Sequence, residues 1–232
     1  MNLHNLIQVA GVRNRAEAEL LLREGVRCLG FPLRLAVHPE DLTETAAAAI
    51  IRGLPRGTDS VLITYLNHAK DVAEFAAFLG VHAVQLHGDI PVAECARLRQ
   101  LRPELTLIKS LIVRPGNLPG LKADAEAFAP WADAFITDTF DPATGACGAT
   151  GKTHDWSVSR ELVRSSPRPV ILAGGLTPEN VAAAIAAVRP AGVDTHTGVE
   201  DATGAKDPVL VRRFVEQAGV SLGKFPGTPG RA

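Results

Sequence analysis

Eight apolar runs rich in Val, Ile and Leu recur along the chain, at residues 5–10, 26–31, 60–66, 82–87, 105–113, 133–138, 169–173 and 192–195. Each is followed by an Ala- and Leu-rich stretch with helical spacing, at 15–24, 39–53, 70–79, 91–101, 120–130, 156–164, 178–188 and 207–217. Continuous apolar runs of this length read as strands buried on both faces, and such strands belong to parallel sheets covered by helices. Start signals mark several helices: Asn14, the segment His38-Pro39-Glu40-Asp41, and Thr177-Pro178-Glu179-Asn180, where Thr caps and Pro takes the first position. Eight strand–helix units averaging about 29 residues match a closed (β/α)₈ barrel. The competing open, doubly wound sheet calls for a GxGxxG turn after the first strand, and Gly11 stands there alone. One α/β domain, a TIM barrel over 1–220, is therefore expected. The tail 221–232, SLGKFPGTPGRA, is expected to fray.

Composition narrows the partners. The 232 residues carry 24 basic and 25 acidic side chains, a formal net charge of -1, and are 46% hydrophobic. A near-neutral chain has no general attraction for nucleic acid or anionic membrane, so an anionic ligand needs a local site. Cysteines at 28, 95 and 147 form no CxxC pair, which argues against a disulfide framework and a structural zinc site. The N-terminus has no secretory pattern and no run approaches the ~20 apolar residues of a membrane span. A cytoplasmic protein is expected, with no membrane partner, as a monomer or homodimer.

In a barrel, chemistry sits at the C-terminal ends of the strands, and phosphate sits beyond strands seven and eight. The seventh run ends in Ala173-Gly174-Gly175-Leu176 and the eighth in Asp194-Thr195-His196-Thr197-Gly198. Glycine lets backbone N–H groups approach an anion closely, so Gly174, Gly175, Thr197 and Gly198 are the expected phosphate ligands. Taken singly, each glycine is equally a tight turn; two such turns on adjacent strands favour phosphate.

Further segments carry a resemblance over nearly the whole chain. They are Val84-Gln85-Leu86-His87-Gly88, Thr137-Asp138-Thr139, Gly148-Ala149-Thr150-Gly151-Lys152-Thr153-His154-Asp155-Trp156, Ala173 to Val181, and Gly198-Val199-Glu200 followed by Gly204-Ala205-Lys206-Asp207. In this order they resemble the phosphoribosylanthranilate isomerase family of tryptophan biosynthesis. The resemblance implies a (β/α)₈ barrel that converts an aminoaldose phosphate into an aminoketose phosphate, an Amadori rearrangement, without metal or organic cofactor. That reaction needs an acid to protonate the furanose ring oxygen and a base to take the C2 proton from the resulting iminium. The resemblance makes Asp138 the acid, makes His87, which matches the family's own histidine at the end of strand four, a second catalytic residue facing the site, and assigns Gln85 to substrate binding.

Three departures stand out. The family base is a cysteine in Lys-Ile-Cys-Gly-Ile-Thr; this chain reads Gln8-Val9-Ala10-Gly11-Val12-Arg13, and alanine holds no titratable proton. The family arginine that holds the anthranilate carboxylate lies in a longer loop, and Arg34 is the substitute within Gly30 to Asp41. The family's Asp-Val-Ser-Ser-Gly reads Asp-Thr-His-Thr-Gly here, making His196 a substrate-binding or acid–base residue. Cys28, His38, Glu40 and Asp194 are further bases to weigh, each with a packing, capping or positioning role as the plainer account. Lys109 offers a Schiff base. Three functions follow: an isomerase of the family's kind, with the family's aglycone or another; a different phosphosugar reaction, such as an epimerase or Schiff-base lyase; or a binding protein without turnover.

Overall fold

A computed structural model describes residues 1–35, 40, 42–140 and 153–223. Eight parallel strands close into a barrel in chain order: β1 (Leu6–Ala10), β2 (Cys28–Pro32), β3 (Asp59–Thr64), β4 (Ala83–Leu86), β5 (Thr106–Val113), β6 (Ala134–Thr139), β7 (Val170–Leu172) and β8 (Gly192–Thr195). β1 pairs with β8, with Gln8 beside Asp194 and Val9 beside Thr195, which removes every sheet edge. The helices are α1 (Arg15–Arg23), α2 (Glu44–Arg52), α3 (Ala69–Leu79), α4 (Val92–Leu101), α5 (Leu118–Phe128), α6 (Trp156–Ser165), α7 (Val181–Val188) and α8 (Pro208–Ser221). The eightfold (β/α) reading of the sequence is thus the observed fold. No helix among the described residues is long and apolar enough to cross a membrane.

Alternation along each strand divides the core in two. Leu6, Ala10, Cys28, Val61, Ile63, Ala83, Ile108, Ala134, Ile136, Ile171 and Ala173 fill the barrel interior, with Met1 and Leu3 packed against them. The intervening residues, Val9, Leu29, Leu62, Val84, Leu107, Phe135, Leu172 and Val193 among them, point outward and pack with the helices. Successive strand side chains face opposite sides, so a strand buried on both faces must be apolar throughout. This is why the runs are continuous rather than alternating.

The boundaries repay comparison with the expected ones. Asn14 caps α1 as read, its side chain accepting from Glu17 N at 2.9 Å. α2 begins later than expected, because Thr43, not the Pro39 segment, supplies the cap, accepting from Ala46 N at 3.2 Å. Pro39 and Asp41 lie outside the described residues. Regular α7 starts at Val181, yet the Thr177 signal is real. Thr177 Oγ1 accepts from Glu179 N at 3.2 Å, and Asn180 Oδ1 accepts from Thr177 N at 2.9 Å, a reciprocal cap ahead of the helix. At the other end, α8 runs through Ser221, because Val215 and Ala218 are packed into the outer core and Leu222 rests against it. The helix thus includes the first residue of the expected tail, and residues 224–232 lie outside the described part.

Candidate active site

Above the apolar floor, polar side chains enter the barrel at inward-facing positions. Gln8 on β1 donates to Gln85 Oε1 on β4 at 3.3 Å, spanning the interior, while Cys28 Sγ donates to Gln8 Oε1 at 3.3 Å. Gln85 Nε2 in turn donates to Ser110 Oγ on β5 at 3.3 Å, and His87 Nδ1 lies 3.0 Å from the same hydroxyl. His87 also meets the Tyr65 ring edge-on, with centroids 5.0 Å apart. The result is a bonded layer that fixes His87 at the mouth. Gln8 and Ser110 were not singled out in the sequence, although each is a polar residue at an inward parity of an apolar run.

Asp138, the last residue but one of β6, faces this layer. Its Oδ1 accepts from the Thr139 backbone N–H at 2.7 Å. Burial raises its pKa above the ordinary carboxyl range, against smaller opposing effects of His87 and the Thr139 N–H. A carboxyl whose pKa is raised at the mouth of the barrel is better suited to give up a proton than an ordinary aspartate.

Asp194, on β8, is a second displaced carboxyl. Only 8% exposed, it is pushed up to about 7, first by burial and then by the charge of Asp138, with Gln8 and Lys206 pulling the other way. Its Oδ1 is buried without a hydrogen-bond partner among the described residues. The sign of the stability linkage follows. The unfolded aspartate ionises near 3.9, whereas the folded one keeps its proton until about 7, so the fold loses stability as pH rises through that interval. Asp194→Asn is expected to be more stable than the parent at pH 8, by up to about 4 kcal/mol, and equal to it below pH 4. Denaturant titrations of both proteins at the two pH values measure this.

Beyond β8, the single 3₁₀ turn Thr197–Val199 follows His196. His196 Nε2 lies 3.4 Å from Glu200 Oε1, and its ring covers Gly11, so closely that a Cβ there would overlap the imidazole. Glu200 is held by the buried Lys206 at 2.7 Å, and Lys206 Nζ also donates to the His196 carbonyl at 3.0 Å. Gly198 packs so tightly against the β7 loop that a Cβ would overlap the Leu176 carbonyl oxygen, and Thr195 Oγ1 donates to that same oxygen at 2.8 Å. Gly174 has φ 100°, a left-handed conformation, and lies against Thr139 and His154. His154 bridges Thr139 Oγ1 at 2.9 Å and Ser159 Oγ at 2.6 Å, and burial lowers its pKa to about 4, leaving it neutral. The two loops are thus stitched together beside Asp138.

Asp138, His87, Gln85, His196, Gly174, Gly175, Thr197 and Gly198 are accordingly all on the C-terminal side of the barrel. Arg34 is not brought to them. Its guanidinium pairs with Glu44 at 2.8 Å and lies 3.8 Å over the Phe75 ring of α3, and its N–H donates to Glu40 Oε1 at 2.6 Å. Arg34, the expected carboxylate ligand, thus ties the end of β2 to the helices α2 and α3. Lys109 shares the outward side of β5 with Leu107 and Leu111, where its ammonium donates to the carbonyls of Leu86, Gly88 and Ser110 at 3.3, 3.0 and 3.0 Å. It faces the helices rather than the cavity, and the Schiff-base reading loses its amine. Cys28 faces inward, below the mouth, and is 2% exposed. His38 and Gly148 to Lys152 lie outside the described residues.

A (β/α)₈ barrel whose mouth gathers two protonatable carboxyls and a fixed histidine is the frame of an acid–base barrel enzyme. A family model, N-(5'-phosphoribosyl)anthranilate (PRA) isomerase, matches residues 6–217. An N-(5'-phosphoribosyl)anthranilate isomerase 2 of Methanosarcina mazei is 38% identical over 214 residues, covering 91% of this chain and 93% of its own. The isomerase of Moorella thermoacetica is likewise 38% identical over 214 residues, with 90% and 87% covered. Among solved structures, phosphoribosyl anthranilate isomerase from Thermotoga maritima superposes with a TM-score of 0.78 at 26% identity, covering 93% of this chain and 98% of that one. A further isomerase structure, in complex with reduced 1-(o-carboxyphenylamino)-1-deoxyribulose 5-phosphate, gives 0.76 at 25% identity over the same shares. The chain belongs to the phosphoribosylanthranilate isomerase family. It is an enzyme of the aldose–ketose isomerase type.

Proposed function

We propose that this chain carries out the Amadori rearrangement of a phosphorylated pentose joined to an aromatic amine, with phosphoribosylanthranilate as the substrate. The observation that carries the reading is Asp138, a carboxyl whose pKa burial raises at the mouth, next to His87 and close enough to Asp194 for its charge to raise that second carboxyl. In this reading the phosphate rests against the backbone of Gly174, Gly175, Thr197 and Gly198. Asp138 gives its proton to the ring oxygen, the furanose opens to the iminium, and loss of the C2 proton leads to the aminoketose. Gln85 and His87 orient the sugar from the layer beneath, and His196 donates from the β8 side. The chemistry asks only for an acid and a base, so no cofactor is assigned.

A specific observation favours a variant of this reading in which the aglycone differs. Arg34 is committed to Glu44 and Phe75, so the pocket gains no guanidinium from it for an aromatic carboxylate. The test is direct. Purified protein is incubated with phosphoribosylanthranilate and the aminoketose phosphate is followed by chromatography, while the gene is tested for rescue of a tryptophan auxotroph lacking this isomerase. Turnover and rescue support the principal reading. Turnover only of phosphoribosylamines without the carboxylate supports the variant, and inertness toward both classes rejects the proposal.

A further inference from the structure

The rearrangement needs a group to accept the C2 proton, and among the described residues the inward positions at the ends of β1 to β3 offer none. Ala10, Gly30 and Ile63 stand there, and Gly30 is so close to Ala10 and Ile63 that a side chain in its place would press on both. Cys28 lies a step below, buried and donating to Gln8. Among the described residues, the inward titratable groups at the mouth are His87, Asp138, Asp194 and His196. His87 is bonded to Ser110 and sits beside the acid. His196 has its Nε2 turned toward Glu200 and its ring laid over Gly11.

Asp194 differs from all of them. It lies on the strand next to β1, beside Gln8 in register, more than nine-tenths buried, with Oδ1 unpartnered in the cavity. A buried carboxylate oxygen without a protein partner is expensive unless something makes use of it. Resting on the isomerase reading above, we infer that Asp194 is the general base of this chain, accepting the C2 proton that Ala10 cannot accept. The C2–H electron pair becomes the C1=C2 double bond, the C1=N pair returns to nitrogen and cancels its charge, and the proton ends on the Asp194 carboxylate. The enol then gives up its hydroxyl proton, C1 gains one, and the ketose results.

The charges around it suit the role. Asp138 from β6 repels the ionised form, while Lys206, itself paired with Glu200 and close to Glu17, supports it, and Gln8 hydrogen-bonds it. Asp138 is in turn faced by His87. One carboxyl can therefore hold its proton while the other is free, which is the division of labour an acid–base pair requires.

The experiment compares kcat and KM over pH for the parent, Asp194→Asn, Asp194→Glu and the double variant Ala10→Cys, Asp194→Asn. Asp194→Asn is expected to lower kcat by about 10²- to 10⁴-fold with KM nearly unchanged, and to abolish the rise in kcat with pH near neutrality. Asp194→Glu retains that rise, and the double variant regains turnover through a thiolate at position 10, a rescue that a merely structural Asp194 would not permit. Parent-like kcat in Asp194→Asn overturns the inference, as does a near-neutral rise that survives in Asp194→Asn but disappears in His196→Gln. A parent without turnover rejects the proposed function itself; a parent that turns over alongside a fully active Asp194→Asn rejects the base assignment alone.

Discussion

Asp138→Asn is expected to fold as the parent does, bind phosphorylated ligands with similar affinity, and lose about 10²- to 10⁴-fold in kcat. The amide keeps the size of the carboxyl and its acceptor for the Thr139 N–H, so neither β6 nor the loop after it is disturbed. What it lacks is an acid that can release a proton to the ring oxygen. A second signature distinguishes loss of the acid from damage to the site. The Asp138 charge helps hold Asp194 near 7; without it Asp194 ionises at lower pH, and the alkaline plateau of residual turnover begins earlier. Steady-state kinetics between pH 5 and 9 read both effects. Unchanged kcat would remove Asp138 from its role.

Gly198→Ala is the second large expected effect, and it acts through the backbone. The added methyl would overlap the Leu176 carbonyl oxygen, which already accepts from Thr195 Oγ1 and cannot yield without moving the β7 loop. Forcing an extra carbon into such a contact costs about 1–3 kcal/mol. Because the displaced segment carries Gly174 and Gly175, KM for a phosphorylated substrate is expected to rise about tenfold, the equivalent of ~1.4 kcal/mol, with kcat largely kept. Gly120→Ala, within α5 at a site with open space around it and no left-handed backbone, is a control for substitution of glycine in general. Thermal unfolding and KM are the measurements; a variant with parent stability and KM would show that the β7 and β8 loops yield independently.

The barrel was legible because each strand is buried on both faces, which leaves an unbroken apolar signature, and because the helices between them carry one apolar face. Boundaries were less so. Pro39-Glu40-Asp41 and Thr43 both read as helix starts, and only the hydrogen bond to Ala46 decides between them. The inward or outward parity of a strand residue is likewise invisible in a continuous run. Lys109 and Ser110 are neighbours in sequence, yet one bonds carbonyls on the helix side and the other joins the layer under His87. Arg34 has the right chemistry for a carboxylate ligand, but Glu44 and Phe75 claim it, and that competition depends on where α2 and α3 pack. In the sequence Asp194 is one acid among several; its distinguishing property, a buried oxygen without a protein partner, exists only once eight strands surround it.

The division of the core into an interior filling and an outer sleeve reaches beyond stability. Residues on the two sides of a strand share a backbone but few side-chain neighbours, and substitutions without shared partners combine nearly additively. Reagents inside the tube can therefore be rewritten while the scaffold keeps its melting point. For protein engineering the same separation offers a workable order of operations: reinforce the sleeve first, then screen the lumen for new substrates with that reserve in hand.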